Sequence, residues 1–126
     1  MKPVVYDTGV LIAADRSERR TWAEHRVRLE AGIVPRVPAP VVAQASRSPK
    51  QAQMRRLLRG CDVVTFDEPA AHAAGSLLGR TRTKDVVDAS VAALAIQHEA
   101  DIVSDDAGDI RRLLSVARVK LSIIDV

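Results

Sequence analysis

The residues best suited to chemistry in this sequence are aspartates placed where a change of chain direction would expose them. Asp7 closes the apolar run Pro3-Val4-Val5-Tyr6, Asp85 and Asp88 stand one helical turn apart, and Asp105 and Asp106 follow Ile102-Val103-Ser104. Each alone has an ordinary explanation, because an aspartate at the start of a helix caps free N–H groups and complements the helix dipole. Gathered in one pocket they would behave differently. Two unpaired carboxylates about 4 Å apart repel by roughly 4 kcal/mol at a partly exposed site. Protonation, arginines or a cation must then hold them together. Magnesium or manganese suits such a pocket, since hard cations take carboxylate oxygens and keep some of their water. The chemistry that follows is phosphodiester hydrolysis, in which the ion polarises a phosphoryl oxygen and acidifies a water.

Other chemistries find little support. His25, His72 and His98 lack metal-ligand spacing, and the lone Cys61 has no partner with which to form a zinc site or a disulfide. Each histidine reads as a surface or helix-packing residue, and Cys61 as a small buried hydrophobe. No Gly-x-Ser-x-Gly elbow or phosphate-binding glycine loop occurs. A phosphatase of small molecules would show Asp-x-Asp, whereas Asp7 is followed by Thr8 and Gly9. Trp22, Tyr6 and Phe66 are the only aromatics, too few for a base-stacking platform.

Short β-branched runs and longer helical patterns must position these acids. Strands are expected over residues 3–7, 33–37, 61–66, 101–104 and 119–124. Helices are expected over 8–15, 22–31, 41–47, 50–59, 68–79, 85–99 and 109–116. The helix at 85–99 is the clearest, with Val87, Val91, Leu94 and Ala95 forming one apolar stripe. Pro35, Pro38 and Pro40 confine the second strand to a sheet edge or a connection. Strands separated by helices, with no hairpin dipeptide, predict a single α/β/α domain over residues 1–126 with a mostly parallel central sheet. In such sheets functional groups collect at the carboxyl ends of the strands.

Composition sets the class. With 126 residues, 47% hydrophobic and 28% charged, the chain can bury its own core and is not disordered. No apolar run is long enough to cross a bilayer, and the acid at position 7 arrives too early for a signal peptide. With a single cysteine, the expected address is cytoplasmic. Net charge is only +3, yet residues 16–59 hold eleven Lys/Arg against three acids, leaving the remainder acidic. That split fits a basic surface facing a polyanion, although ordinary solvated helix faces would look similar.

Three motifs in order resemble one family. Tyr6-Asp7-Thr8-Gly9-Val10-Leu11-Ile12 is similar to the opening of PIN domains. Asp88-Ala89-Ser90-Val91-Ala92-Ala93-Leu94-Ala95 resembles their central helix, and Ile102-Val103-Ser104-Asp105-Asp106-Ala107-Gly108-Asp109-Ile110 their closing motif. The resemblance spans essentially the whole chain and is nearest to compact VapC-type toxins of toxin–antitoxin systems. It implies a metal-dependent endoribonuclease in which Asp7, Asp88 and Asp106 bind magnesium or manganese. Thr8, Gln44, Ser104 and Asp109 would stand around them. It further implies 5′-phosphate and 3′-hydroxyl products, a cognate antitoxin covering the acidic pocket, and a homodimer or a toxin–antitoxin complex, with no membrane. RNA contact would come through arginines on phosphates, Arg55, Arg56, Arg59, Arg80, Arg82 and Lys84 being the candidates.

Two positions depart from the family pattern. Gln44 stands where the family usually has Glu, bringing an amide oxygen without a charge. Asp105 replaces a small hydroxyl residue. Asp85, one turn before Asp88, would either restore the missing charge as a further metal ligand or serve as an N-cap. The Gln44 substitution also leaves a second function open, a catalytically weakened PIN-like module that binds RNA or protein.

Overall fold

The computed structural model describes residues 2–126. Its strands are β1 (Val4–Tyr6), β2 (Arg36–Pro38), β3 (Asp62–Val64), β4 (Asp101–Ser104) and β5 (Ile123–Asp125). Its helices are α1 (Thr8–Asp15), α2 (Arg19–Glu30), α3 (Ala39–Ala45), α4 (Ala52–Arg59), α5 (Glu68–Thr81), α6 (Val86–His98) and α7 (Ala107–Val116). All strand pairs are parallel, in the order β3-β2-β1-β4-β5. The expected α/β architecture with a parallel sheet is therefore present, with seven helices among the described residues.

β1 lies at the centre of the sheet, which explains its unbroken run of Val4, Val5 and Tyr6. A central parallel strand is covered on both faces, so alternation with polar residues is lost, and all three side chains are buried. The chain passes from β1 to β2 and β3 on one side, then crosses to β4 and β5 on the other. The reversal lies between β1 and β4, where Tyr6 pairs with Val103. Asp7 and Ser104 consequently leave the sheet side by side, and the Asp7 N–H donates to the Val103 carbonyl at 3.0 Å. A crevice at the carboxyl end of such a switch point is the usual binding place in open parallel sheets.

α6 is the helix that the site depends on most. Ala89, Val91, Ala92, Leu94 and Ala95 are buried, and the small alanines let neighbouring helices approach closely on several sides. It packs against α5, α7, α3 and the sheet. The Asp85 carboxylate caps its start, accepting from the Asp88 N–H at 3.0 Å. Its other end stops at Glu99, whose left-handed φ of 51° breaks the helical run.

The second strand departs from expectation. It occupies residues 36–38 rather than 33–37, and it lies inside the sheet between β1 and β3 rather than at an edge. The prolines permit this because of where they fall. Pro35 precedes the strand and Pro38 ends it, so no proline interrupts the middle of the ladder, while Pro40 sits in the first turn of α3, where an N–H would be unpaired anyway. α2 also starts three residues earlier than expected, at Arg19, and α7 two residues earlier, at Ala107. The last strand is shorter and later than expected, at 123–125.

Candidate metal centre

Asp7 enters the site from the end of β1 and is almost fully buried. Both of its oxygens are bonded: one accepts from the Thr8 N–H at 2.7 Å and the other from the Ser104 hydroxyl at 2.7 Å. Ser104 in turn accepts from the Asp106 N–H at 2.9 Å. A short chain of hydrogen bonds thus ties the end of β1 to the turn after β4. Burial raises the pKa of Asp7 above its ordinary value, and the charges of Asp105 and Asp106 push the same way; the bonds from Ser104 and Thr8 oppose them.

Asp88 presents a different picture. It sits in the first turn of α6 with only 7% of its surface exposed. Among the described residues no donor bonds its carboxylate, which faces other acids instead. Burial, followed by the charges of Asp85, Asp7, Asp106 and Asp109, lifts its pKa to about 7. Carboxylate oxygens of Asp88, Asp106 and Asp109 lie within 4.8 Å of one another. Among the described residues, no lysine or arginine forms an ion pair with Asp7, Asp85, Asp88, Asp105, Asp106 or Asp109.

These observations test whether a divalent cation fits. The donors are carboxylate oxygens, close enough to share one ion, and their repulsion is unrelieved by any protein cation. A hard divalent ion matches that donor set. The residues present fit the group.

The structure sorts the remaining candidates. Asp85 lies beside the acids as the cap of α6, and its carboxylate is outside the trio of Asp88, Asp106 and Asp109. Asp109, expected to stand around the ion, is inside that trio, carried there by the early start of α7, which sets it one turn after Asp106. The Thr8 hydroxyl donates to the Gln44 side-chain oxygen, so the amide at position 44 is held at the rim of the site.

The six basic candidates divide into two groups. Arg82 and Lys84 are exposed on the α5–α6 connection that leads directly into Asp85, while Arg80 lies in the last turn of α5 and its guanidinium donates to the Val116 carbonyl. Arg55, Arg56 and Arg59 lie on α4, which runs towards the start of β3, so Arg59 belongs to the edge of the sheet opposite the acids. The Arg56 guanidinium stacks over Trp22, 4.9 Å from the ring centre. His25 is a buried, helix-packing histidine, its Nδ1 2.9 Å from the Tyr6 hydroxyl. Cys61 is half-buried, donating to the Leu57 carbonyl at 3.4 Å. No helix among the described residues is long and apolar enough to cross a membrane.

Sequence reasoning missed the seat of Asp105. A methyl group built on Gly9 would overlap the Asp105 carboxyl, so that carboxyl lies directly against the first turn of α1. The signal was a glycine two residues after Asp7, unusual in a helix because glycine costs about 1 kcal/mol relative to alanine there.

Comparison with known proteins fits this geometry. The toxin–antitoxin protein VapBC2 from Rickettsia felis, solved with a promoter DNA fragment, superposes with a TM-score of 0.72 at 15% identity, covering 98% of each chain. A toxin–antitoxin complex from Klebsiella pneumoniae gives 0.64 at 18% identity over 84% of this chain and 88% of that one. FitAcB from Neisseria gonorrhoeae gives 0.62 at 17% identity over 96% of each chain. At such identities the likeness concerns the fold. No curated protein matches the chain in sequence. The PIN domain family matches residues 4–114, which takes in the three aspartate motifs, and the chain belongs to that family.

Proposed function

We propose that this protein is a metal-dependent endoribonuclease acting as the VapC-type toxin of a type II toxin–antitoxin pair. The observation that carries the reading is the convergence of the Asp88 carboxylate, on a largely buried residue, with those of the exposed Asp106 and Asp109. A protein without catalytic or binding use for that arrangement would gain stability by replacing at least one of these acids. Family membership supports a nuclease, and the toxin–antitoxin complexes among its structural neighbours support an antitoxin as partner.

In this reading Asp88, Asp106 and Asp109 hold magnesium or manganese, and Asp7 adds charge from the end of β1. When bound, the ion supplies a Lewis acid for the phosphodiester and lowers the pKa of water. The chain's own residues do the rest. Ser104 and Thr8 fix the Asp7 carboxylate so that it does not turn away from the pocket. Asp85 fixes the start of α6 and hence the height of Asp88. Arg82 and Lys84, just before Asp85, hold the RNA backbone beside the acids, countering the repulsion between phosphates and an acidic pocket.

Gln44 favours the second reading, a PIN-like module that binds RNA or protein but cleaves poorly. The two readings separate in a cell. Induced synthesis of the chain in a bacterium without the antitoxin should arrest growth, and Asp88→Asn should relieve the arrest at equal protein level. Undisturbed growth with soluble protein accumulating would contradict the toxin reading and favour the binding module.

A further inference from the structure

Two residues that depart from the family pattern meet at one place. The Gln44 amide is bonded by the Thr8 hydroxyl, and the Asp105 carboxyl lies against Gly9, the next residue in α1. Both therefore border the first turn of α1, immediately after Asp7. One brings an oxygen without charge, the other a charge without a partner among the described residues. Gly9 is what permits this, since any side chain there would displace the carboxyl.

We infer that Asp105 supplies the negative charge on the Gln44 side of the cation site, seated there by Gly9, and so sets the cation affinity. The inference rests on the metal-centre reading proposed above. Asp105 is a positioning residue in this account: it lies on the Asp7 side of the pocket and acts through the charge it adds there. Its charge acts on Asp7, in agreement with that placement. Asp106 influences both and joins the two halves.

The test is a calorimetric titration of the purified full chain with manganese, comparing wild type with four variants. Asp105→Asn keeps the shape of the side chain against Gly9 and removes only the charge. It should weaken manganese binding roughly tenfold, the scale of effects from groups that support metal ligands. Adding Gln44→Glu to Asp105→Asn should recover most of that loss, which a merely structural role for Asp105 would not allow. Gly9→Ala keeps the charge but moves it and should also weaken binding. Asp88→Asn is the reference for the site as a whole. If Asp105→Asn binds like wild type while Asp88→Asn does not, the inference fails and the metal centre stands. A loss in Asp105→Asn that Gln44→Glu does not recover overturns the exchange of charge between the two positions. Wild-type binding by Asp88→Asn would instead overturn the metal centre itself.

Discussion

Asp85 and Asp88 are one helical turn apart, yet their removal should register in different measurements. Asp85 accepts a backbone N–H at the start of α6, so Asp85→Ala should lower folding stability by about 1 kcal/mol, the usual worth of an N-cap. Its manganese affinity should fall only by what the neighbouring Asp85 charge contributes, whereas Asp88→Asn should lose most of it. Equal losses of affinity in the two variants would make Asp85 a ligand as well as a cap. The pH dependence of stability also belongs to Asp88. Folding raises its pKa from 3.8 to about 7, so the unfolded chain gives up this proton first as pH rises. The contribution of Asp88 to the stability of the metal-free protein is thus fully present below about 3.8 and is lost as pH climbs through about 7. Melting temperatures of wild type minus those of Asp88→Asn should fall across this window, and manganese should raise the wild-type value at neutral pH. A difference that does not change with pH would show that Asp88 ionises in the fold as freely as in the unfolded chain.

The elements decide which of these residues meet. β4 carries Ser104 and leads into Asp106, and its Ile102 is fully buried opposite Val5. Ile102→Ala should cost about 2–5 kcal/mol, as truncations of packed core side chains do, read from denaturant unfolding. A cost near zero would mean that the central sheet is looser than its burial implies. Much of this level was legible in the sequence, because β-branched runs at 4–6 and 101–104 and the apolar stripe of α6 are strong local signals. β2 was harder to read. Pro35 and Pro38 argue for an edge only if they fall within the ladder, and whether they do depends on a register set by β1 and β3. Asp109 was placed around the ion rather than in the trio because the resemblance gives the ligand position to Asp106; in the fold Asp109 stands one turn later, in the first turn of α7. The Gly9–Asp105 contact joins residues far apart in sequence; a glycine inside α1 signals that something approaches closely there, but not that it is Asp105.

At the scale of the whole molecule, charge is divided as the sequence suggested, but not in the way that RNA binding would most simply use. The basic segment 16–59 includes α2 and α4, several of whose arginines are engaged by glutamates and aromatic residues. Arg20 and Arg26 pair with Glu24 and Glu30, and Arg28 bonds the buried Tyr6 hydroxyl. Arg82 and Lys84 precede Asp85 in the chain instead, while the Arg80 guanidinium donates to the Val116 carbonyl at the far end of α7. Replacing Arg82 and Lys84 with alanine should therefore weaken RNA binding and flatten its salt dependence by about two phosphate contacts. The same change at Arg55 and Arg59 should have the smaller effect. The reverse ranking would move the RNA path across α4.

The central claim is best tested by incubating purified, partner-free protein with a total RNA pool and manganese or magnesium. Parallel reactions would contain chelator or the Asp88→Asn variant, prepared identically and shown to be folded. The account predicts discrete fragments with wild type that disappear in both controls. Intact RNA with folded, manganese-binding wild type, or fragments that persist in Asp88→Asn, would contradict it.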